Sequence, residues 1–269
     1  MLLSFQFSEV AIEKLAISRP SLVDLISGDR NPVRAILAGA FAGALASGFS
    51  GFAFGATSLS IWAHTLSPLI LAQLVVLGSL VVQLLTLPGI WRSIDFKAAL
   101  PFIGFGLVGS PIGASILHIL DPWWFRKIAG VMLIGYVASV FIVGRLPRLQ
   151  RAPRWSMYLV GFGGGVMGGF AGLSGILPTI WCSMMKWSKD RQRATFQIFN
   201  ISMHVMTLCV YAVQGKMHKG LISPTVLAIP VMLAGSYLGF FLYRRVDEAQ
   251  FKRGLLILLA VSGAGLLLN

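Results

Sequence analysis

Between Ala35 and Trp91 the chain runs for 57 residues (positions 35 to 91) without an Asp, Glu, Lys or Arg. One helical crossing of a bilayer needs about 20 apolar residues. A stretch this long must turn within a membrane or cross it more than once. The rest of the 269 residues is built alike: 56% are hydrophobic, 12% are charged, and mean hydropathy is +0.80. A water-soluble domain carries about 25% charged residues, so much of this surface must face lipid.

The net charge of +13 invites comparison with a nucleic-acid binder. Lys and Arg, however, cluster between apolar runs, as cytoplasmic loops of membrane proteins require. Nucleic acid is therefore not an expected partner; the bilayer is. Cys182 and Cys209 sit inside apolar segments and offer neither a metal-ligand spacing nor a disulfide framework. No metal or other cofactor is expected. Residues 1–32 lack the basic start of a secretory signal, and Glu9, Glu13 and Lys14 interrupt what would be its apolar core. Their near-helical apolar spacing predicts an interfacial amphipathic helix broken at Pro20.

Eight apolar runs follow, at about 35–66, 67–90, 98–120, 124–144, 155–185, 194–215, 220–243 and 254–269. All seven tryptophans lie near the ends of these runs, where indole rings prefer the headgroup level. The chain also repeats itself. At an offset of 121, Gly43, Gly48, Phe49 and Gly51 align with Gly164, Gly169, Phe170 and Gly172; at 120, Gly55 meets Gly175. At 126, Gly109, Ser110 and Gly113 meet Gly235, Ser236 and Gly239, and Asp121, Phe125 and Arg126-Lys127 meet Asp247, Phe251 and Lys252-Arg253. The expected fold is an all-α polytopic membrane protein of two repeated four-segment halves, 33–144 and 155–269, joined by a basic cytoplasmic linker at 145–154.

The first run of each half exceeds 30 residues and carries glycines near its middle. Each is either a tilted, interrupted span or a re-entrant hairpin that leaves on the side it entered. If all eight runs cross, Lys and Arg divide 12 against 10 between the two sides; if the first run of each half re-enters, they divide 14 against 8. The second division obeys the positive-inside rule better. It leaves three true crossings per half, so the second half is inverted relative to the first, with both termini outside.

The glycine clusters are the most informative features. Gly39, Gly43, Gly161 and Gly165 read as helix-packing positions. Around Gly51, Gly55, Gly172 and Gly175 the spacing tightens, Ser50 and Ser174 add hydroxyls, and Pro178 follows. Here a helix can unwind, and a new half-helix beginning near Ser174–Pro178 would aim free N–H groups inward, which suits an anion. The two clusters resemble the TauE/SafE sulfite-exporter family across residues 33–269. Gly169-Phe-Ala-Gly172-Leu-Ser-Gly175-Ile-Leu-Pro178 matches that family's Gly-rich, Pro-containing motif; Gly48-Phe-Ser-Gly51-Phe-Ala-Phe-Gly55 is a looser match, with Ser58 near the usual proline. Gln73 with Gly78-Ser79, and Gln197 with Asn200, stand in the next helices, where many members carry a Gly-Thr-Ser cluster. The resemblance implies export of sulfite, sulfonates or related organic anions.

In the sixth run Gln197, Asn200, His204, Thr207 and Tyr211 follow at steps of 3, 4, 3 and 4, one polar stripe on a helix. Such a stripe serves either as interhelical glue or as the lining of a path. Gln73 and Gln83 form a weaker stripe on the second run. All nine acidic residues lie in the N-terminal region or at segment ends, which argues against cation transport and against a carboxylate proton relay. His64, His118 and His204 remain as proton carriers. Lys189, Arg191 and Arg193 read first as topology signals and second as a basic mouth for anions. The candidate substrate residues are thus Ser50, Gly51, Gly55, Gln73, Ser174, Gly175, Gln197, Asn200 and His204. The expected function is secondary transport, as an exporter in the cell's inner membrane, of a small anion. A passive anion channel is the alternative; a membrane-embedded enzyme or a scaffold fits less well, since no catalytic set of side chains stands out. A homodimer is left open.

Overall fold

A computed structural model describes residues 30–143, 149, 152–185, 187–218, 221–243, 245 and 248–268. The amphipathic segment expected over 1–32 lies almost wholly outside the described residues, as does most of the 145–154 linker. The described residues form ten α-helices: α1 (Arg30–Ser50), α2 (Phe54–Trp62), α3 (Pro68–Thr86), α4 (Phe96–Ile119), α5 (Pro122–Val143), α6 (Arg154–Ala171), α7 (Ile176–Met184), α8 (Lys189–Val213), α9 (Ile222–Tyr243) and α10 (Glu248–Leu268). No strand occurs among them; Leu149 and Met185 share one isolated bridge.

Among the described residues six stretches are long and apolar enough to cross a membrane: Val33–Ser50, Pro68–Gly89, Phe96–Ile119, Pro122–Ile142, Asp190–Val213 and Pro224–Leu242. The protein is therefore an all-helical, polytopic membrane protein. Its polarity is that of a protein in lipid. Val108, Val131, Tyr237, Ile257 and Val261 lie exposed on outer helix faces, while Gln73, Gln83, Gln197, Asn200 and His204 are buried.

Local chemistry sets the helix starts. Ser67 is extended and Pro68 opens α3, where its missing N–H costs nothing. The Asp95 carboxylate accepts from the Ala98 N–H at 3.1 Å to cap α4, and Ser188 caps α8 through the Arg191 N–H at 3.3 Å.

The first and fifth apolar runs are each broken into a long and a short helix, and the short one turns back along the long one. The Trp62 indole at the end of α2 donates to the Ala35 carbonyl at 3.0 Å, and Ser58 donates to Gly39 at 2.9 Å. In the second hairpin the Trp181 indole of α7 donates to Ser156 Oγ near the start of α6, also at 3.0 Å. Ala35 and Ser156 are separated by the 121-residue offset read in the sequence. These two buried indoles correct the reading of all seven tryptophans as interface markers. Trp91, Trp123, Trp124 and Trp155 are exposed, but Trp62 and Trp181 are 1% and 8% exposed and close hairpins instead.

Contacts between elements sort the loops into two ends. At one end the mouth of the α1–α2 hairpin lies with the start of α3 and the end of α8, which Gln73 ties together through the Lys216 carbonyl at 2.7 Å and the His218 N–H at 3.0 Å. At the other end the Trp181–Ser156 mouth of the α6–α7 hairpin lies with the start of α8, where Arg191 pairs with Asp95 at 2.9 Å. The hairpins thus open at opposite ends and point past one another.

Each long hairpin arm packs along a full-length helix distant in sequence: α6 along α4, and α1 along α9. Glycine permits both. A Cβ on Gly169 would strike the Ser110 carbonyl, and one on Gly48 would strike the Ser236 carbonyl. These are equivalent pairs under the sequence offsets. Side chains in such seams force the backbones apart, and overpacking costs about 1–3 kcal/mol. Gly169→Val should therefore lower the melting temperature of the purified protein, whereas Gly104→Ala, where nothing lies within 4 Å of the added carbon, should leave it unchanged.

Candidate functional site

The two breaks are made by matched glycines. Gly51 has φ +87° and Gly172 has φ +70°, a region that L side chains avoid. Gly51 lets α1 end and α2 begin three residues later. Ser50 closes this turn: its hydroxyl donates to the Ala46 carbonyl at 2.7 Å and accepts from the Phe52 and Ala53 N–H groups at 3.4 and 3.2 Å. Gly172 terminates α6, its N–H returning to the Gly168 carbonyl at 2.8 Å, and α7 follows from Ile176.

The tips touch at the centre of the fold. A Cβ on Gly55 would come within 2.7 Å of the Gly172 carbonyl oxygen. Around this contact lies a narrow cavity with room for about one water molecule. The first hairpin contributes Phe52, Gly55 and Ala56, the second Gly172, Leu173, Ser174, Gly175 and Ile176, and α8 contributes Asn200 and His204. Both short helices therefore present their N-terminal turns to it. The first N–H groups of a helix have no intrahelical acceptor and carry its positive dipole end. Ser174 Oγ donates to Asn200 Oδ1 at 2.9 Å. His204 is 1% exposed, and its Nδ1 has no hydrogen-bond partner. Among the described residues no carboxylate lines the cavity.

Of the nine candidate residues, Gly55, Ser174, Gly175, Asn200 and His204 meet here. Gly51 and Ser50 shape the turn beside it. Gln197 and Gln73 lie elsewhere. Gln197 Nε2 donates to the Gln83 carbonyl and Thr86 Oγ1 at 2.9 and 2.8 Å, fastening α8 to the end of α3; Gln73 ties the far ends of the same two helices. The polar stripe on α8 accordingly divides. Thr207 meets Ser110 Oγ at 2.8 Å and the Tyr211 hydroxyl donates to the Gly169 carbonyl at 2.9 Å, so these members bind neighbouring helices. Sequence reasoning missed Phe52, Ala56, Leu173 and Ile176. Phe52 stood inside the quoted motif, but a phenylalanine in an apolar run carries no signal of its own. Phe52 packs edge-on against Phe196 and Tyr136, with ring centroids 5.4 and 5.8 Å away.

A second cavity of about 230 Å3 lies among Leu66, Pro68, Leu71, Pro122, Phe125 and Arg126, at the end where the first hairpin opens.

The family model for the sulfite exporter TauE/SafE matches residues 35–266. The chain belongs to the TauE/SafE family. The match spans both hairpins and every helix packed on them, and TauE/SafE membership makes this a membrane transporter of the sulfite- or sulfonate-exporter type. No curated protein and no solved structure matches the chain.

The hinge of the second TauE/SafE hairpin is directly testable. A Cβ on Gly172 would collide with Val75 Cγ1 of α3, and left-handed backbone adds about 1–2 kcal/mol for any other residue. Gly172→Ala should lower the melting temperature, and Gly172→Ala with Val75→Ala should recover part of that loss, since only the collision is relieved.

Proposed function

We propose that the protein is a secondary transporter that exports a small sulfur oxyanion or short sulfonate, and that the cavity between the hairpin tips is its substrate site. The observation that carries this reading is the convergence of two half-helix N-termini, Asn200 and His204 on a space without carboxylates. Such a site favours negative charge through fixed dipoles and neutral donors. A cation would meet the wrong end of both dipoles.

The two halves act as inverted repeats. Support comes from the matched positive-φ glycines, the equivalent Trp62 and Trp181 closures, and the exchange of α4–α6 for α9–α1 packing. Each hairpin re-enters from its own side of the membrane. By its length α1 could cross alone, but α2 returns the chain to the level of Ala35. We read the end holding Arg92, Arg154 and Arg191 as cytoplasmic by the positive-inside rule, the orientation an inner-membrane exporter with both termini outside would have.

Sulfite has four heavy atoms and does not fit a space for one water. This conformation is therefore a contracted one, and the hairpin tips must separate to load substrate from either side. That contraction favours alternating access over an open channel.

Proteoliposomes containing the protein should take up sulfite or a short alkanesulfonate with saturation, and empty liposomes should not. Asn200→Leu and His204→Leu should each cut uptake by roughly tenfold or more, the scale of one lost hydrogen bond to a charged ligand. Unsaturated flux, or variants as active as the parent, would contradict the proposed site.

A further inference from the structure

The larger cavity holds about 230 Å3, against about 10 Å3 between the hairpin tips. Three elements align the two spaces. Ala56 lines the central cavity, and Ala63, in helical conformation just after α2, lines the larger one. Seven residues apart, they share one helix face about 10 Å along its axis. On α3, Leu71 lines the larger cavity one turn before Val75, the side chain that a Cβ on Gly55 or Gly172 would meet. Phe125 lines it as well, and its ring centroid lies 5.1 Å from that of Phe170, two residues before Gly172. The larger cavity is therefore the next space along the first hairpin toward its mouth.

Its walls are mostly apolar, with Leu66, Pro68, Leu71 and Phe125 on them, and Arg126 brings the one cationic side chain. Arg126 Nε is buried and meets no hydrogen-bond acceptor among the described residues. The next residue, Lys127, turns elsewhere: its Nζ donates to the Leu267 carbonyl and lies over the Trp123 ring. Ser67 also lines the cavity, and its side chain makes no capping bond to α3. Among the described lining residues none is acidic. A guanidinium set among apolar walls suits an oxyanion that carries a hydrocarbon body. Sulfite has no such body, whereas a short alkanesulfonate does.

We infer that this cavity is a second binding site of the transport path and takes a short alkanesulfonate, with the sulfonate on Arg126 and the carbon chain against Leu66, Leu71 and Phe125. The inference rests on the transport reading above and narrows its substrate to anions with an aliphatic body. The planar fork of Arg126 matches two sulfonate oxygens better than an ammonium would. Phe125, between this site and the tip of the second hairpin, is the side chain that the anion passes on its way from one cavity to the other.

The test reads binding without transport. Ser67→Cys is placed in the full-length chain carrying Cys182→Ala and Cys209→Ala, in phosphatidylcholine nanodiscs open on both faces, and its rate of maleimide labelling is followed. Propanesulfonate should slow labelling, and its half-protecting concentration should lie below that of methanesulfonate by roughly threefold or more for each added methylene. Arg126→Gln should raise the half-protecting concentration about tenfold, the scale of a lost charge-assisted hydrogen bond. Arg126→Lys, which keeps the charge, should fall between the two. Lys127→Gln should stay within about twofold, because a charge outside the cavity acts only through a salt-screened field. Labelling that propanesulfonate does not slow, or protection equal in the parent and Arg126→Gln, would overturn the inference. So would protection by phosphatidylglycerol in the disc that leaves sulfonate without effect, since the cavity would then hold a lipid headgroup. Proteoliposomes that move neither sulfite nor propanesulfonate would instead sink the transport reading, whatever the protection shows.

Discussion

Inside hydrocarbon a backbone can leave helical geometry only where protein supplies partners for the freed N–H and C=O groups. This chain does so twice, at Gly51–Ala53 and Gly172–Gly175, and most of the fold follows from the need to bury those two turns against each other. The first turn is satisfied locally by Ser50, the second by the return of the Gly172 N–H to Gly168 and by Ser174 reaching Asn200. Neither hairpin could stand alone in lipid. Each covers the other's tip, and α3, α4, α8 and α9 enclose the pair.

The packing that achieves this leaves little room for side chains. The arms approach their partner helices over Gly48, Gly109, Gly113, Gly161, Gly165, Gly169, Gly235 and Gly239, each with a backbone oxygen where a Cβ would lie. Interhelical bonds from Gln73, Gln197, Thr207 and Tyr211 then fix the register of α8 against α3, α4 and α6. Helix association in lipid lacks a hydrophobic driving force and depends on close packing and polar contacts of this kind. The functional consequence is electrostatic. With no carboxylate among the described residues that line the cavity, the centre of the fold owes its potential to two dipole ends and to neutral donors, a setting that suits an anion.

Much of this was legible in the residues. The uncharged stretch from Ala35 to Trp91 dictated a membrane protein, and tightening glycine spacing located both breaks within a few residues. Matching Gly51 to Gly172 by offset paired two of the three described glycines that adopt positive φ, Gly215 after α8 being the third. Asn200 and His204 stood out because polar groups one turn apart in an apolar helix need a reason. Other features were hidden. The rule that places tryptophan at headgroups hid the closure of the hairpins by Trp62 and Trp181. Gln73 and Gln197 looked like cavity groups because sequence cannot say which acceptor a buried amide will find; both found neighbouring helices. The lining by Phe52 and Leu173 had no signal, since an apolar side chain beside a cavity reads like any other core residue.

The opposed entry of the two hairpins is the claim on which the account turns, and sidedness of single cysteines measures it most directly. In a chain with Cys182 and Cys209 replaced by alanine, Ser67→Cys follows the first hairpin and Ser188→Cys follows the second; both positions are exposed. A membrane-impermeant maleimide should reach Ser67→Cys only from outside intact cells and Ser188→Cys only in inverted vesicles. Labelling of both from the same side would mean that each broken segment crosses the membrane, and the inverted, re-entrant arrangement would be contradicted.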